Sequence, residues 1–432
     1  MFSTANKKMV EELYSISPID GRYREDTKVL GEYFSEYALI KNRVMVELDW
    51  FLHLANCFEI SGIGMEKLGG IHRKIQEIKD KFDIIEAKKI KMKEASIQHD
   101  VKAVEYYLKD QFEAKNLGEY DYLIHFGVTS EDINNLAYGK MIQEARENVF
   151  CPAIEELFRL MKQEFVEKYK GVPMLSHTHG QKATPTTVGK EFAVFYYRLY
   201  SVYEKMKNLS LKGKFSGAVG TFGAFQIAYP NLDWLVFNQK FVESQGFVFN
   251  PLTTQIESHD TICMLFSDIK LFNNILLDFD MDMWTYISMD YFKQVAVEGE
   301  VGSSVMPHKV NPIHFENSMA NLRLSNSIWD GLINHLEISR MQRDLSDSSM
   351  LRNIGVGFAY LLIAIHSLRK GLQKVTVNEV VMRSDLENSP EVLAEAIQTV
   401  FRKNKIQNSY ELLKEITRGK EVDLETLREL VR

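Results

Sequence analysis

The sequence predicts an all-α protein: a long-helix bundle as central domain, with smaller helical N- and C-terminal domains, assembling as an oligomeric helical core. Three observations predict it. Only 9 Pro and 24 Gly occur in 432 residues, so long stretches run without either helix breaker. Residues 259–297 contain neither, and as one helix they would extend roughly 55–60 Å. Strand signals are short and few, the best of them at residues 175–179 and 247–249.

Residues 1–119 form the predicted N-terminal domain. It opens with SPIDGRY at 17–23, continues into an amphipathic helix over 32–56, and later carries a charged helix leading into QHDVKAVEYYLK at 98–109. Asn116 and Gly118 close it. Residues 120–371 form the central bundle, with helices expected over 130–149, 152–170, 186–212, 259–297 and 312–338. In the longest of these, Ile262, Leu265, Phe266, Ile269, Phe272, Ile275, Leu276 and Phe279 are joined by Met264, Leu271 and Leu277 around much of the circumference. A helix apolar on most sides must be covered on most sides. One chain can hardly cover so long a rod, which points to partner copies. Residues 372–432 form a C-terminal helical cap, broken at Asn388-Ser389-Pro390 and at Gly419.

Composition bounds the function classes. Apolar residues make up 45 % of the chain, with 26 Phe and 19 Tyr, enough for a large core. The net charge of −7 comes without a basic tail or face, which argues against nucleic acid as a partner. The Lys/Glu alternation over 84–94 reads as a solvated helix surface. Cys57, Cys151 and Cys263 are odd in number and widely spaced, the usage of a reducing compartment, with no metal pattern. The N-terminal segment MFSTANKKMVEELYS lacks an apolar signal core, and no run of about 18 apolar residues stands out for a membrane span. The expected location is the cytoplasm, with no membrane partner.

Three polar loops carry the chemistry. EGEVGSSVMPHKVNP at 298–312 joins Gly299, Gly302, Ser303 and Ser304 to Pro307, Lys309, Asn311 and Pro312. A plain helix connector capped by Asn311 would need only part of this. A mobile lid bearing a hydroxyl and an anion clamp would use all of it. In HFGVTSEDINN at 125–135, Thr129 and Asp132 fit a capping box, and the helix N-terminus behind it suits a carboxylate; capping alone would also account for Thr129 and Ser130. In SHTHGQKATPTTVGKE at 176–191, His177 and His179 precede a helix expected to start near Pro185. Histidine is the usual proton donor near neutral pH. A His-x-His pair can also bind metal, but no third ligand is suitably spaced.

GSSVMPHKVNP, TSED and THGQ together resemble the signature segments of the fumarase/aspartase superfamily. SPIDGRY, QHDVKAVEYYLK, TTQIESHD at 253–260 and RMQRDLSDSSMLRN at 340–353 narrow the resemblance to the adenylosuccinate lyase family, in its longer bacterial-type branch. The matching segments occur in one order over most of residues 15–415. The resemblance implies β-elimination of fumarate from adenylosuccinate, giving AMP, and from the succinyl-carboxamide ribonucleotide of purine biosynthesis. It implies His179 as general acid and Ser303 as general base, with no metal or organic cofactor.

The implied substrate-binding set follows the same segments. Arg22 and Tyr23 meet the nucleotide; Gln98, His99 and Asp100 approach the substrate, Gln98 standing where relatives often have Asn. Thr129 and Ser130 take the succinyl carboxylate, and Gln255 binds substrate. Ser304, Lys309, Val310, Asn311 and Asn317 belong to the signature loop and the helix after it. Arg343, Ser348, Ser349, Met350, Leu351 and Arg352 form the phosphate region. Many relatives carry Arg where this chain has His177, so the role of His177 stays open. The implied assembly is a homotetramer with each site built from three subunits, and relatives of this branch often run on for a short stretch beyond a counterpart of LRELVR at 427–432.

The chemistry makes these residue types necessary. A proton beside a carboxylate is weakly acidic, and the charge left by its removal spreads into that carboxylate. Fixed donors and cations must wait for it; Lys309, Asn311, Thr129 and Ser130 are the candidates. A serine base needs its own anion stabilised, by glycine-rich backbone N–H groups or Lys309. Argininosuccinate lyase, aspartase and fumarase are the competing readings, but they need no phosphate site. A non-catalytic bundle or a helical scaffold would explain the helices and leave the polar loops unexplained.

Overall fold

The computed structural model describes residues 12–296, 298, 299, 302, 304–420 and 422–432. The chain is all-α, as predicted, with long helices at Glu36–Ala55, Asp100–Ala114, Ser130–Ala145, Val188–Asn208, Asp260–Ser288, Ile313–Leu336 and Ile354–Gln373. Among the described residues β-structure amounts to three two-stranded sheets. Pro173–Thr178 pairs antiparallel with Gln181–Thr187, Lys212–Gly213 parallel with Val248–Phe249, and Phe292–Gln294 antiparallel with Val375–Val377.

The long helix stops at Ser288, well short of residue 297. The stop is chemical. Asp290 adopts φ 59°, its N–H donates to Ile287 O at 3.1 Å and that of Tyr291 donates to Tyr286 O at 2.9 Å. This is the Schellman pattern of a left-handed residue just past a helix end, a place usually held by glycine. Neither Pro nor Gly marks it, so a search for breakers runs past it.

A second correction concerns residues 176–191. They do not open a helix near Pro185; they form an antiparallel hairpin, and the helix begins at Val188. Thr178 pairs with Gln181 across the turn, leaving His179 and Gly180 as its two central residues with φ 54° and 71°. Left-handed φ at both positions matches the twist of the flanking strands, and glycine at the second relieves half of the strain.

The third concerns apolar runs. Ser346–Gln373 includes an 18-residue window with mean hydropathy 1.4, long and apolar enough to cross a membrane. It is a packed stretch, 56 % of that window buried. Phe358 lies 5.1 Å from Phe34, 4.5 Å from Phe150 and 5.0 Å from Trp329 between ring centroids.

Two compact units are distinguishable by their internal packing. The first comprises the described residues up to Ala153 with Tyr203–Asn273 and Arg323–Ile363; the second comprises Ile154–Val202, Asn274–Leu322 and Ala364–Arg432. The first has its aromatic centre at Trp50, fully buried, with Phe215 and Phe241 at 4.7 and 5.0 Å. Trp50 Nε1 donates to Phe126 O at 3.1 Å, so this cluster anchors the loop that leads to Thr129. The second has Phe192 at its centre, stacked on Phe165 at 4.5 Å and edge-on to Phe279 at 5.2 Å. Its hairpin is tied down through Lys182 Nζ, which donates to Ser389 Oγ at 2.7 Å.

Candidate active site

The first unit holds an open cavity of about 770 Å³. Gln98, His99, Asp100, Thr129, Ser130, Gln255, Arg343 and Ser348 line it, together with Lys91, Glu94, Glu131 and Asn134. Four separate stretches of chain thus bring expected residues to one surface. Thr129 opens the Ser130–Ala145 helix, and its backbone N–H donates to the Asp132 carboxylate at 2.8 Å, the reciprocal arm of a capping box. His99 caps the next wall: its Nδ1 accepts from Lys102 N–H at 3.1 Å. With Nδ1 engaged as acceptor, the neutral ring carries its proton on Nε2, a donor.

Through these residues runs a chain of paired charges. Arg343 meets Glu131 at 3.1 Å and Asp347 at 2.8 Å. Glu131 accepts from Asn134 Nδ2 at 2.7 Å, and Asn134 Oδ1 accepts from Arg43 Nε at 2.8 Å. The buried Arg43 then reaches Asp100 at 2.8 Å, and Asp100 reaches Arg352 at 3.2 Å. Burial raises the Asp100 carboxyl, but the Arg43 charge, the Val101 N–H and Arg352 outweigh it and hold Asp100 below the usual carboxylate range. Asp100 therefore stays an anion that orients two arginines.

Other expected residues of this unit are not part of the cavity lining. Arg22 is exposed, its guanidinium 5.9 Å from the Tyr23 ring. Arg352 Nη1 donates to Ser348 O and Oγ, both at 3.2 Å. Ser349 is exposed and Met350 half-buried. Leu351 is 5 % exposed, its side chain in the core.

The second unit carries the remaining set. His179 stands exposed at the hairpin turn, with His177 exposed on the strand before it. Ser303 lies outside the described residues. Its neighbours do not: Asn311 Nδ2 donates to Gly302 O at 2.9 Å, and a Cβ on Gly302 would lie 2.0 Å from Lys309 O. Only glycine lets the loop fold back so closely, and the fold-back brings the backbone of Lys309 and the side chain of Asn311 against the residue before Ser303. Ser304, Lys309 and Val310 are exposed. Asn317, on the Ile313–Leu336 helix, accepts from Asn321 Nδ2 at 2.8 Å through its carbonyl. No cluster of metal-ligating side chains occurs among the described residues.

Sequence reasoning missed Arg43, Lys91, Glu94, Glu131 and Asn134. Lys91 pairs with Glu94 at 2.7 Å and Glu36 at 3.3 Å. The signal available was spacing: Lys91, Glu94 and Gln98 recur at three and four residues, one face of the Ile84–Ile97 helix and its cap,.

The chain is similar to known proteins along nearly its whole length. The family described as Lyase matches residues 21–324, and that described as Adenylosuccinate lyase C-terminal matches residues 339–432. An adenylosuccinate lyase of Legionella pneumophila (strain Corby) is 49 % identical over 422 residues, covering 97 % of this chain and 92 % of the relative. One from Escherichia coli (strain K12) is 46 % identical over 426 residues, covering 98 % and 92 %. One from Buchnera aphidicola subsp. Schizaphis graminum is 45 % identical over 416 residues, covering 96 % and 91 %. Among solved structures, a fumarate lyase from Mesorhizobium sp. BNC1 superposes with a TM-score of 0.73 at 18 % identity, covering 93 % of this chain and 89 % of that one. A 3-carboxy-cis,cis-muconate lactonizing enzyme from Pseudomonas putida does so with a TM-score of 0.68 at 19 % identity, covering 90 % and 85 %. These two likenesses concern the fold.

Proposed function

The chain belongs to the adenylosuccinate lyase family, and from that premise we propose how its own residues carry out the reaction. The reaction is β-elimination: a C–N bond of a succinylated purine nucleotide or of its carboxamide precursor breaks, and fumarate leaves. Thr129 and Ser130, at the start of the Ser130–Ala145 helix, hold a succinyl carboxylate, where free N–H groups and the positive end of the helix favour an anion. Ser303 removes the proton beside the other carboxylate. Lys309 and Asn311 meet the charge that develops there, with Ser304, Val310 and Asn317 completing that wall. His179 protonates the departing nitrogen. No metal or organic cofactor enters any step.

Nucleotide binding falls to the first unit. Arg343, Ser348 and Arg352 take the monophosphate, with Ser349, Met350 and Leu351 in the same segment. Gln98, His99 and Gln255 orient the substrate, Asp100 holds Arg352, and Arg22 and Tyr23 reach the purine side. The single observation that carries this reading is the cavity, where His99, Thr129, Ser130, Gln255, Arg343 and Ser348 share one surface. The site is completed in a homotetramer, each drawing on three subunits; the N-terminal domain ends near residue 119 and the C-terminal cap begins near 372. Three cysteines outside any disulfide suit a reducing cytoplasm,.

The test is direct. Purified protein should convert adenylosuccinate to AMP and fumarate, followed by ultraviolet absorbance, and should act on the succinyl-carboxamide ribonucleotide as well. Inactivity on both, with activity on argininosuccinate, aspartate or malate, would transfer the chain to another branch of the superfamily.

A further inference from the structure

Within the first unit an ion pair is wholly buried. Lys214 and Asp132 are both 0 % exposed, with Nζ and Oδ1 2.9 Å apart. Every bonding position of the pair is used. Asp132 Oδ1 also accepts from Ser216 N–H at 2.9 Å, while Oδ2 accepts from Gly217 N–H at 3.1 Å and Thr129 N–H at 2.8 Å. Lys214 Nζ gives its other protons to Gly217 O at 3.0 Å and Gln255 O at 2.7 Å. Asn135 fixes the same backbone from the other side: its Oδ1 accepts from Lys214 N–H at 2.9 Å and its Nδ2 donates to Lys214 O at 3.0 Å.

Two things follow. A buried ion pair adds little stability over an apolar pair of like volume, because desolvation cancels most of its attraction. Its value lies in geometry. This pair knots together three stretches far apart in sequence, and two of them present Thr129, Ser130 and Gln255 to the cavity. Lys214 itself does not line that cavity.

We propose that Lys214, through Asp132 and the Gln255 carbonyl, is a positioning residue that sets the spacing of the carboxylate-holding end of the site. The statement rests on the reading above that Thr129 and Ser130 receive a succinyl carboxylate. The phosphate end is held by the Arg343–Glu131 and Arg352–Asp100 pairs, neither of which includes Lys214 or Asp132.

The experiment compares the full-length wild type with Lys214→Met and with the double variant Asp132→Asn/Lys214→Met. It measures turnover of adenylosuccinate, product inhibition by fumarate and by AMP, and amide hydrogen exchange. In Lys214→Met, kcat/KM should fall on the order of 10²-fold, the scale of a misplacement of about 1 Å. Inhibition by fumarate should weaken by roughly tenfold or more while that by AMP stays within about twofold. Equal weakening of both, or of neither, overturns the proposal. If Lys214→Met does not fold, the double variant, which leaves no lone buried charge, takes its place; failure of both to fold assigns the pair a purely structural part and also overturns it. If the wild type releases no fumarate, the functional reading fails by itself and exchange decides this one. Faster exchange confined to residues 129–132, 214–217 and 253–257 supports a positioning role, and unchanged or global exchange refutes it.

Discussion

At the scale of single residues, the proposed chemistry separates binding from turnover. His179→Ala and Ser303→Ala should each abolish turnover while leaving adenylosuccinate bound; full activity of either purified variant would overturn the assigned roles. Arg352→Ala should raise KM through loss of a charge-assisted phosphate contact of about 2 kcal/mol, with kcat changed far less. Within the first unit, His125 Nδ1 lies 2.5 Å from Glu47 Oε1. Burial lowers the His125 pKa, but the Glu47 charge and hydrogen bond outweigh it and leave His125 above the ordinary histidine value. Its folded pKa is raised, so the pair's stabilisation is complete below pH ~6.5 and fades as pH rises through the folded value. Thermal melts of wild type and Glu47→Gln should converge as pH rises from about 6 to 9; a constant gap would contradict the pairing.

At the scale of elements, what was legible followed hydrophobic period and capping chemistry. The Thr129–Asp132 box marked the start of the Ser130–Ala145 helix, and short strands stand close to where they were expected, at Pro173–Thr178 and Val248–Phe249. What was illegible turned on left-handed backbone at residues other than glycine. Asp290 ends the longest helix and His179 forms half of a hairpin turn, and neither residue type announces this in one sequence. The charge chain from Arg343 to Arg352 was hidden for another reason: its links join residues up to 252 positions apart, beyond any local pattern. The long helix carries its own pH signature. Burial pushes the fully enclosed Asp280 carboxyl well above the carboxylate range, and the Ser318 hydroxyl offsets only part of this. With the folded pKa raised, this carboxyl's own contribution to stability is complete below pH ~4 and is lost as pH climbs through the folded value. Asp280→Asn, which needs no proton at neutral pH, should raise Tm at pH 7 and flatten the profile above pH 4; a lower Tm would show that the carboxyl is needed for packing.

At the scale of the whole molecule, the apolar girth of the Asp260–Ser288 helix was read as a demand for partner copies. The fold leaves Met264, Leu271, Met281 and Trp284 of that helix at least 44 % exposed, which is the surface the proposed tetramer would cover. Light scattering should return four times the 50.0 kDa chain mass, and a stable monomer would remove that support. Refolding a mixture of inactive His179→Ala and Lys309→Ala chains should restore a fraction of activity if His179 and Lys309 of one site come from different copies, and none if one copy supplies both.

The way the first unit is threaded has a consequence for synthesis. Its last segment, Arg323–Ile363, supplies Trp329 and Phe358 to a packing partnership with Phe34 and Phe150, residues that leave the ribosome long before. That core cannot close until three-quarters or more of the chain has been translated, roughly a quarter of a minute or longer at ordinary elongation rates. Meanwhile the early aromatic surface waits uncovered, and the membrane-grade run within Ser346–Gln373 emerges late, after its partners Phe34 and Phe150 have been made. Chaperone demand should therefore peak late in translation, and chains released before residue 363 should aggregate.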